Sequence, residues 1–146
     1  MARKYLRSRE TLEAVEERRL QVAHLQRECK YLENRCTSAT RSYTAKIGGT
    51  GDPHKVLWDE LADKRSLLQL HRQALEREET TVSQWIELLP NPRWRMLLRC
   101  RYLEGMDLQD VLEELERATG RSFSMNQIYR LHSRALDAAE ALWPMQ

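Results

Sequence analysis

Near the carboxyl end of the chain, Asn126, Gln127, Tyr129 and Arg130 fall within seven residues that read SMNQIYR. Asn and Gln amides each offer a paired donor and acceptor that match the edge of an adenine, and Arg matches a guanine or a phosphate. Such groups read a duplex when they stand at the leading end of a helix that enters the major groove. Ser124 is placed to cap that helix, with Met125 opening it. Its free amides would then face a phosphate. Arg134 follows one turn after Arg130, while Arg117 and Arg121 precede the helix as candidate phosphate contacts. Arg93, Arg95 and Arg99 are further candidates upstream, and His132 lies one turn beyond the reading end. The alternative for all of them is the solvated face of a small bundle.

Other chemistry finds no footing in the residue pattern. His24, His54, His71 and His132 show no metal-ligand spacing with Cys29, Cys36 and Cys100, so no metal is expected. Gly48, Gly49, Thr50 and Gly51 lack the Lys-Ser/Thr that completes a phosphate loop. The carboxylates lie on helical faces among basic neighbours, and no nucleophile has an identifiable base. The sequence therefore points to neither a catalytic site nor a cofactor.

The elements around the candidate helix follow from its punctuation. Asn91 caps and Pro92 opens a helix carrying Trp94, Leu97, Leu98, Arg101 and Tyr102, and Gly105 ends it. Asp107 caps a second helix with Leu108, Val111, Leu112 and Leu115 on its apolar face, ended by Gly120. The third helix turns Ile128, Leu131, Ala135, Leu136, Ala139 and Leu142 inward. Three short helices with a glycine at each turn predict a helix-turn-helix unit.

Upstream, the periodicity changes to heptads. Val15, Val22, Cys29 and Cys36 recur every seventh residue, with Leu25 and Leu32 between them, which predicts a helix from about Lys4 to Cys36 interrupted in its seam by Arg18. Leu61, Leu68, Leu75, Val82 and Leu89 form a second series over Pro53 to Leu89, with Leu57 and Trp85 beside it. Lys64, His71 and Glu78 take the alternate positions of that seam. Helices this narrowly apolar must pack on a partner. The glycine loop, with Asp52 as cap, predicts an antiparallel hairpin roughly 50 Å long. Val22, Leu25, Leu32, Leu61, Leu68, Leu75 and Val82 are the expected oligomer interface, because the arm has little core of its own. Residues 1–46 carry 11 basic and 6 acidic side chains, residues 47–91 carry 5 and 8. A basic first helix facing an acidic second is the arrangement these charges predict. Trp58, Trp85, Trp94 and Trp143 are assigned to packing.

Composition agrees with an all-α chain. Of 146 residues only 5 are Gly and 4 Pro, and 32% are charged, too few turn formers for a sandwich, barrel or parallel sheet. No apolar window reaches membrane-spanning length, and Met1 to Glu10 contains no apolar leader, so a cytoplasmic protein with reduced, buried thiols and no membrane partner is expected. The final segment, 92–146, carries 8 basic and 8 acidic residues, so non-specific DNA affinity should be weak and two copies on two half-sites should be required.

The stretch RCRYLEGMDLQDVLEEL, Arg99 to Leu115, resembles the first half of DNA-binding region four of bacterial sigma factors. SMNQIYRLHSRALDAAEAL, Ser124 to Leu142, resembles its second half, with the Arg134-Ala135-Leu136 triplet and the inward Ile128 and Leu131. Here the connection from Glu116 to Phe123 is longer than in that family, and Met125, Asn126 and Gln127 stand where arginines are usual. Tyr5-Leu6, the glycine loop and the overall layout resemble phage late-gene transcriptional regulators of the RinA and ArpU type. The resemblance implies an all-α chain with a helical hairpin at 1–89 for oligomerisation or docking, and a sigma-like helix-turn-helix DNA-binding domain at 90–146. It implies a phage or prophage transcription regulator working as a homodimer on double-stranded DNA in the host cytoplasm, with RNA polymerase as a further partner. A DNA-packaging protein resembling a small terminase subunit, and a coiled-coil adaptor without DNA binding, are the alternatives.

Overall fold

The computed structural model describes residues 6–45 and 53–142, and they are all-helical. Two long helices come first, α1 (Leu6–Ala45) and α2 (Pro53–Glu87). Then come α3 (Pro92–Leu98), a π-helical continuation (Arg99–Leu103), α4 (Leu108–Thr119) and α5 (Met125–Ala141). Helix α1 outruns its heptads and extends past Cys36 to Ala45. The glycine loop with its Asp52 cap, together with Tyr5 and Trp143, lies outside the described residues.

The chain forms two compact units. One consists of residues 18–75, the other of 1–17 and 76–146. The break expected at Leu89-Pro90 is thus a corner inside the second of these rather than a border. Leu12, Val15, Val82, Trp85, Ile86 and Leu89 are buried in the same unit as the short helices, so the ends of both long helices belong to that core.

Within residues 18–75 the two heptad series meet as predicted. Val22, Leu25, Cys29, Leu32 and Cys36 form one core with Leu61 and Leu68, flanked by Leu57 and Leu75. Cross-helix pairs fix the direction. Arg18 Nη1 meets His71 Nδ1 at 2.9 Å, Lys64 Nζ meets Glu28 at 2.8 Å, and Arg65 Nη2 meets Glu33 at 2.8 Å. Arg18 near the start of the α1 segment meets His71, whereas Glu28 and Glu33 further along it meet Lys64 and Arg65, so the hairpin is antiparallel. The polar residue that interrupts the first seam, Arg18, faces His71, one of the polar residues that interrupt the second. In both of these ion pairs a base on α2 holds an acid on α1, because each pair follows position along the seam and not the sum of charge over a segment.

The structure places Val22, Leu25, Leu32, Leu61, Leu68, Leu75 and Val82, the expected oligomer interface, within the fold of a single chain. All but Leu75, which is half-buried, are buried within one chain. Trp58 also departs from its packing assignment and is 41% exposed.

In the other unit α3, α4 and α5 pack pairwise. Each predicted cap forms. Asn91 Oδ1 accepts from the Arg93 amide at 2.9 Å, and Asp107 Oδ1 accepts from the Asp110 amide at 2.8 Å. After Leu98 the helix widens. The Glu104 amide reaches back to Arg99 O and the Met106 amide to Cys100 O, both at 3.0 Å, and Gly105 turns the chain at φ 72°. Cys100 and Tyr102 are both buried there. Leu61 is fully buried, so Leu61→Ala should lower unfolding stability by about 2–5 kcal/mol. Leu70 is 63% exposed, and Leu70→Ala should stay within about 0.5 kcal/mol. Urea denaturation of the two variants checks the contrast.

Candidate nucleic-acid interface

The connection between α4 and α5 is held by its own hydrogen bonds. Gly120 ends α4 in the left-handed region at φ 69°, its amide bonded to Glu116 O at 2.9 Å. Thr119 Oγ1 donates to Leu115 O at 2.7 Å and accepts from the Arg121 amide at 3.3 Å. Glu116 Oε2 accepts from the Phe123 amide at 3.0 Å, and the Arg93 guanidinium lies over the Phe123 ring, 5.7 Å from its centroid. Because α4 continues through Glu116 and Arg117 to Thr119, the linking segment is confined to residues 120–124. It is shorter than the Glu116–Phe123 stretch that the sequence implied.

Ser124 and Gln127 then close a capping box. Ser124 Oγ accepts from the Gln127 amide at 3.2 Å, and Gln127 Oε1 accepts from the Ser124 amide at 2.8 Å. Both residues were placed in the reading set, and the structure gives both a role in starting the helix. The Gln127 carbonyl is engaged locally, so a paired contact with adenine would have to share or break that bond.

The rotation of α5 follows from its buried side. Ile128, Ala135, Leu136 and Ala139 are buried, with Leu131 and His132 half-buried beside them. Asn126, Arg130 and Arg134 are exposed, and Tyr129 is 52% exposed. The side chains of Arg121, Arg130 and Arg134 make no hydrogen bond or ion pair among the described residues. Met125 is half-buried. Arg117 is turned back along α4 to Glu114 in an ion pair. Asp110 and Glu113 are exposed on the same helix, so the surface of α4 is acidic.

Four further candidates prove structural. Arg95 Nη1 donates to Leu89 O at 2.6 Å. Arg99 holds Ser83 Oγ at 3.3 Å and pairs with Glu87. Arg93 covers Phe123. His132, expected near a phosphate, is packed inward, with its Nε2 2.7 Å from the Tyr102 hydroxyl and the two rings stacked at 5.8 Å. Burial, reinforced by Arg101 and Arg9, lowers the His132 imidazole to about 4. Burial also raises the Tyr102 phenol to about 12 and the Cys100 thiol to about 12.

A polar contact that sequence reading missed lies at the start of α1. Ser8 is fully buried. Its Oγ donates to Leu136 O at 3.0 Å and its amide donates to Glu140 Oε2 at 2.6 Å, while Arg7 Nε reaches Glu140 Oε1 at 3.0 Å. Burial works to raise the Glu140 carboxyl, but the Ser8 amide and Arg7 outweigh it and hold it below the usual carboxylate value. Three residues further along α5, Trp85 Nε1 donates to Ala139 O at 3.2 Å. These bonds clamp the end of α5, far from its first turns. Nothing in the sequence periodicity marks Ser8, since a serine in a helix is ordinarily solvated.

Set against known proteins, the chain matches no family model, no curated protein and no solved structure. Among the described residues no helix is long and apolar enough to cross a membrane, and no cluster of His, Cys, Asp or Glu is arranged to hold a metal ion.

The burial of His132 has a measurable consequence. Its native value lies below the unfolded one, so between about pH 6.5 and 4 the unfolded chain takes up a proton that the folded chain refuses. Stability should therefore fall as pH drops through that window, by on the order of 3 kcal/mol at its foot. Thermal melts at successive pH values should show this slope, and His132→Gln should flatten it.

Proposed function

We propose that α4, the 120–124 connection and α5 act as a helix-turn-helix, with α5 as the helix that enters the major groove of double-stranded DNA. The observation that carries this reading is the outward face of α5. Asn126, Tyr129, Arg130 and Arg134 stand exposed over its first turns, with Arg121 at its approach. No carboxylate among the described residues engages these arginines. A helix clamped on one side, capped at its start and free on the other is suited to present base-reading groups without reordering.

The biological role we propose is that of a sequence-specific transcription regulator of phage or prophage origin, acting as a homodimer and able to meet RNA polymerase. The resemblance of Arg99 to Leu115 and Ser124 to Leu142 to sigma region four supports it. The acidic surface of α4 shapes the expected behaviour. Asp110 and Glu113 repel the phosphate backbone, so little affinity comes from charge alone and the contacts of α5 must supply discrimination. That same acidity is what an adaptor without DNA binding would carry, and such a protein would bind no duplex even at low salt.

The test is fluorescence anisotropy with a duplex selected from a random pool. Asn126→Ala and Arg130→Ala should each weaken specific binding by about 1–3 kcal/mol, roughly 5- to 150-fold. Arg121→Ala should weaken binding to all duplexes alike. Specific binding unchanged in the Asn126→Ala, Arg130→Ala double variant would reject the assigned face.

A further inference from the structure

Charge is segregated across the hairpin formed by residues 18–75. One side of it holds a groove of about 550 Å³, edged by Gln26, Lys30 and Glu33 from α1 and by Arg65, Gln69 and Arg72 from α2, with the buried Cys29 and Leu68 beneath. On each helix the edge residues recur at steps of three and four, so they form one line. The same spacing carries the lines on to Arg19 on α1 and to Lys55 on α2. Of the lining residues only Glu33 is acidic, and Arg65 holds it at 2.8 Å. Lys30 and Arg72 are exposed, and their side chains engage no carboxylate among the described residues.

The other acids of the two helices within this unit lie elsewhere. Glu28 is held by Lys64 at 2.8 Å across the opposite edge of the seam. Asp59, Glu60 and Asp63 are turned from Arg65 by roughly 120–160° about the helix axis. Acids return to this line of α2 only at Glu76, one turn beyond Arg72, which belongs to the other compact unit.

The spread of the cations names the partner. Lys55 to Arg72 covers about 25 Å of α2. A small anion is held by cations that converge, whereas a chain of phosphates is met by cations in a row. A DNA strand presents one phosphate roughly every 3.4 Å of its axis. Gln26 and Gln69 add amide donors, which hold phosphate oxygens alongside Arg and Lys in such contacts. The short helices leave this task open. Residues 92–146 balance 8 bases with 8 acids, and Asp110 and Glu113 are exposed on α4, so that module supplies little of the backbone affinity that duplex binding draws on.

We infer that the groove edged by Lys30 and Arg72 is a second DNA contact, which holds the phosphate backbone of a duplex without regard to sequence. The inference rests on the reading that the chain binds duplex DNA, and it assigns affinity to the hairpin and discrimination to α5.

Fluorescence anisotropy of the full chain with a random-sequence duplex, repeated over a series of salt concentrations, tests the groove apart from α5. The wild type should bind at low salt, with log affinity falling linearly against log salt. Lys30→Gln combined with Arg72→Gln should flatten that slope by about 2, one for each lost phosphate contact, and should weaken random and selected duplexes alike. The melting temperature should hold, because both side chains are exposed. Arg35→Gln removes a charge beside Tyr31, turned about 140° from Lys30, and should leave the slope as it is. A slope unmoved by the double variant, or flattened as much per charge by Arg35→Gln, would overturn the inference while leaving the α5 reading intact. Random-duplex binding that responds to the double variant, with every selected duplex indifferent to Asn126→Ala and Arg130→Ala, would uphold the groove and reject the α5 face. Binding to phosphatidylserine vesicles that the double variant abolishes, with duplex binding unmoved, would assign the groove to a lipid surface instead.

Discussion

Burial of Ile128, Ala135, Leu136 and Ala139 fixes the rotation of α5 about its own axis, and the chemistry of the candidate interface depends on that rotation. Side chains on a helix advance by about 100° per residue, so choosing the buried side also chooses the exposed one. The choice is reinforced at three separated points. The Ser124–Gln127 capping box holds the first turn, the Tyr102–His132 pair holds the middle, and Ser8 and Trp85 bond to carbonyls near the end. A turn of α5 by even one residue's arc would place Arg130 toward apolar neighbours and expose Ile128. The exposed face of α5 is therefore fixed by packing elsewhere.

The long hairpin obeys the same logic with a different period. Its heptads bury cysteines and leucines in one seam, and two of its polar interruptions, Arg18 and His71, fall opposite one another. A mismatched register would bury one of them without a partner, which costs more than the leucines nearby would regain. The polar pair therefore selects the register while the apolar residues supply the stability.

Much of this was legible in the sequence. The helix starts at Asn91, Asp107 and Ser124, the stops at Gly105 and Gly120, and both heptad series were readable because caps, glycine turns and periodicity are local signals. Three things were not. The ends of the long helices join the core of the short ones, and nothing in a local window reports that Leu12 and Ile86 share an interior with Leu136. Whether a heptad face is filled by the same chain or by another copy is a question of topology, and the spacing is identical in both cases. The partners of polar side chains were also hidden. His132, Arg95 and Arg99 looked like phosphate contacts by type and position, yet each is engaged inside the fold, and only three-dimensional neighbours distinguish the two roles.

The central claim is that the exposed side of α5 touches DNA. Amide chemical-shift mapping of the full chain, titrated with a duplex enriched from a random pool, tests it most directly. The account predicts that the largest perturbations fall on Arg121 and on 124–134, with the hairpin core around Leu61 and Leu68 unmoved. Perturbations confined to α1 and α2, or an absence of change at a concentration where the duplex binds, would contradict it.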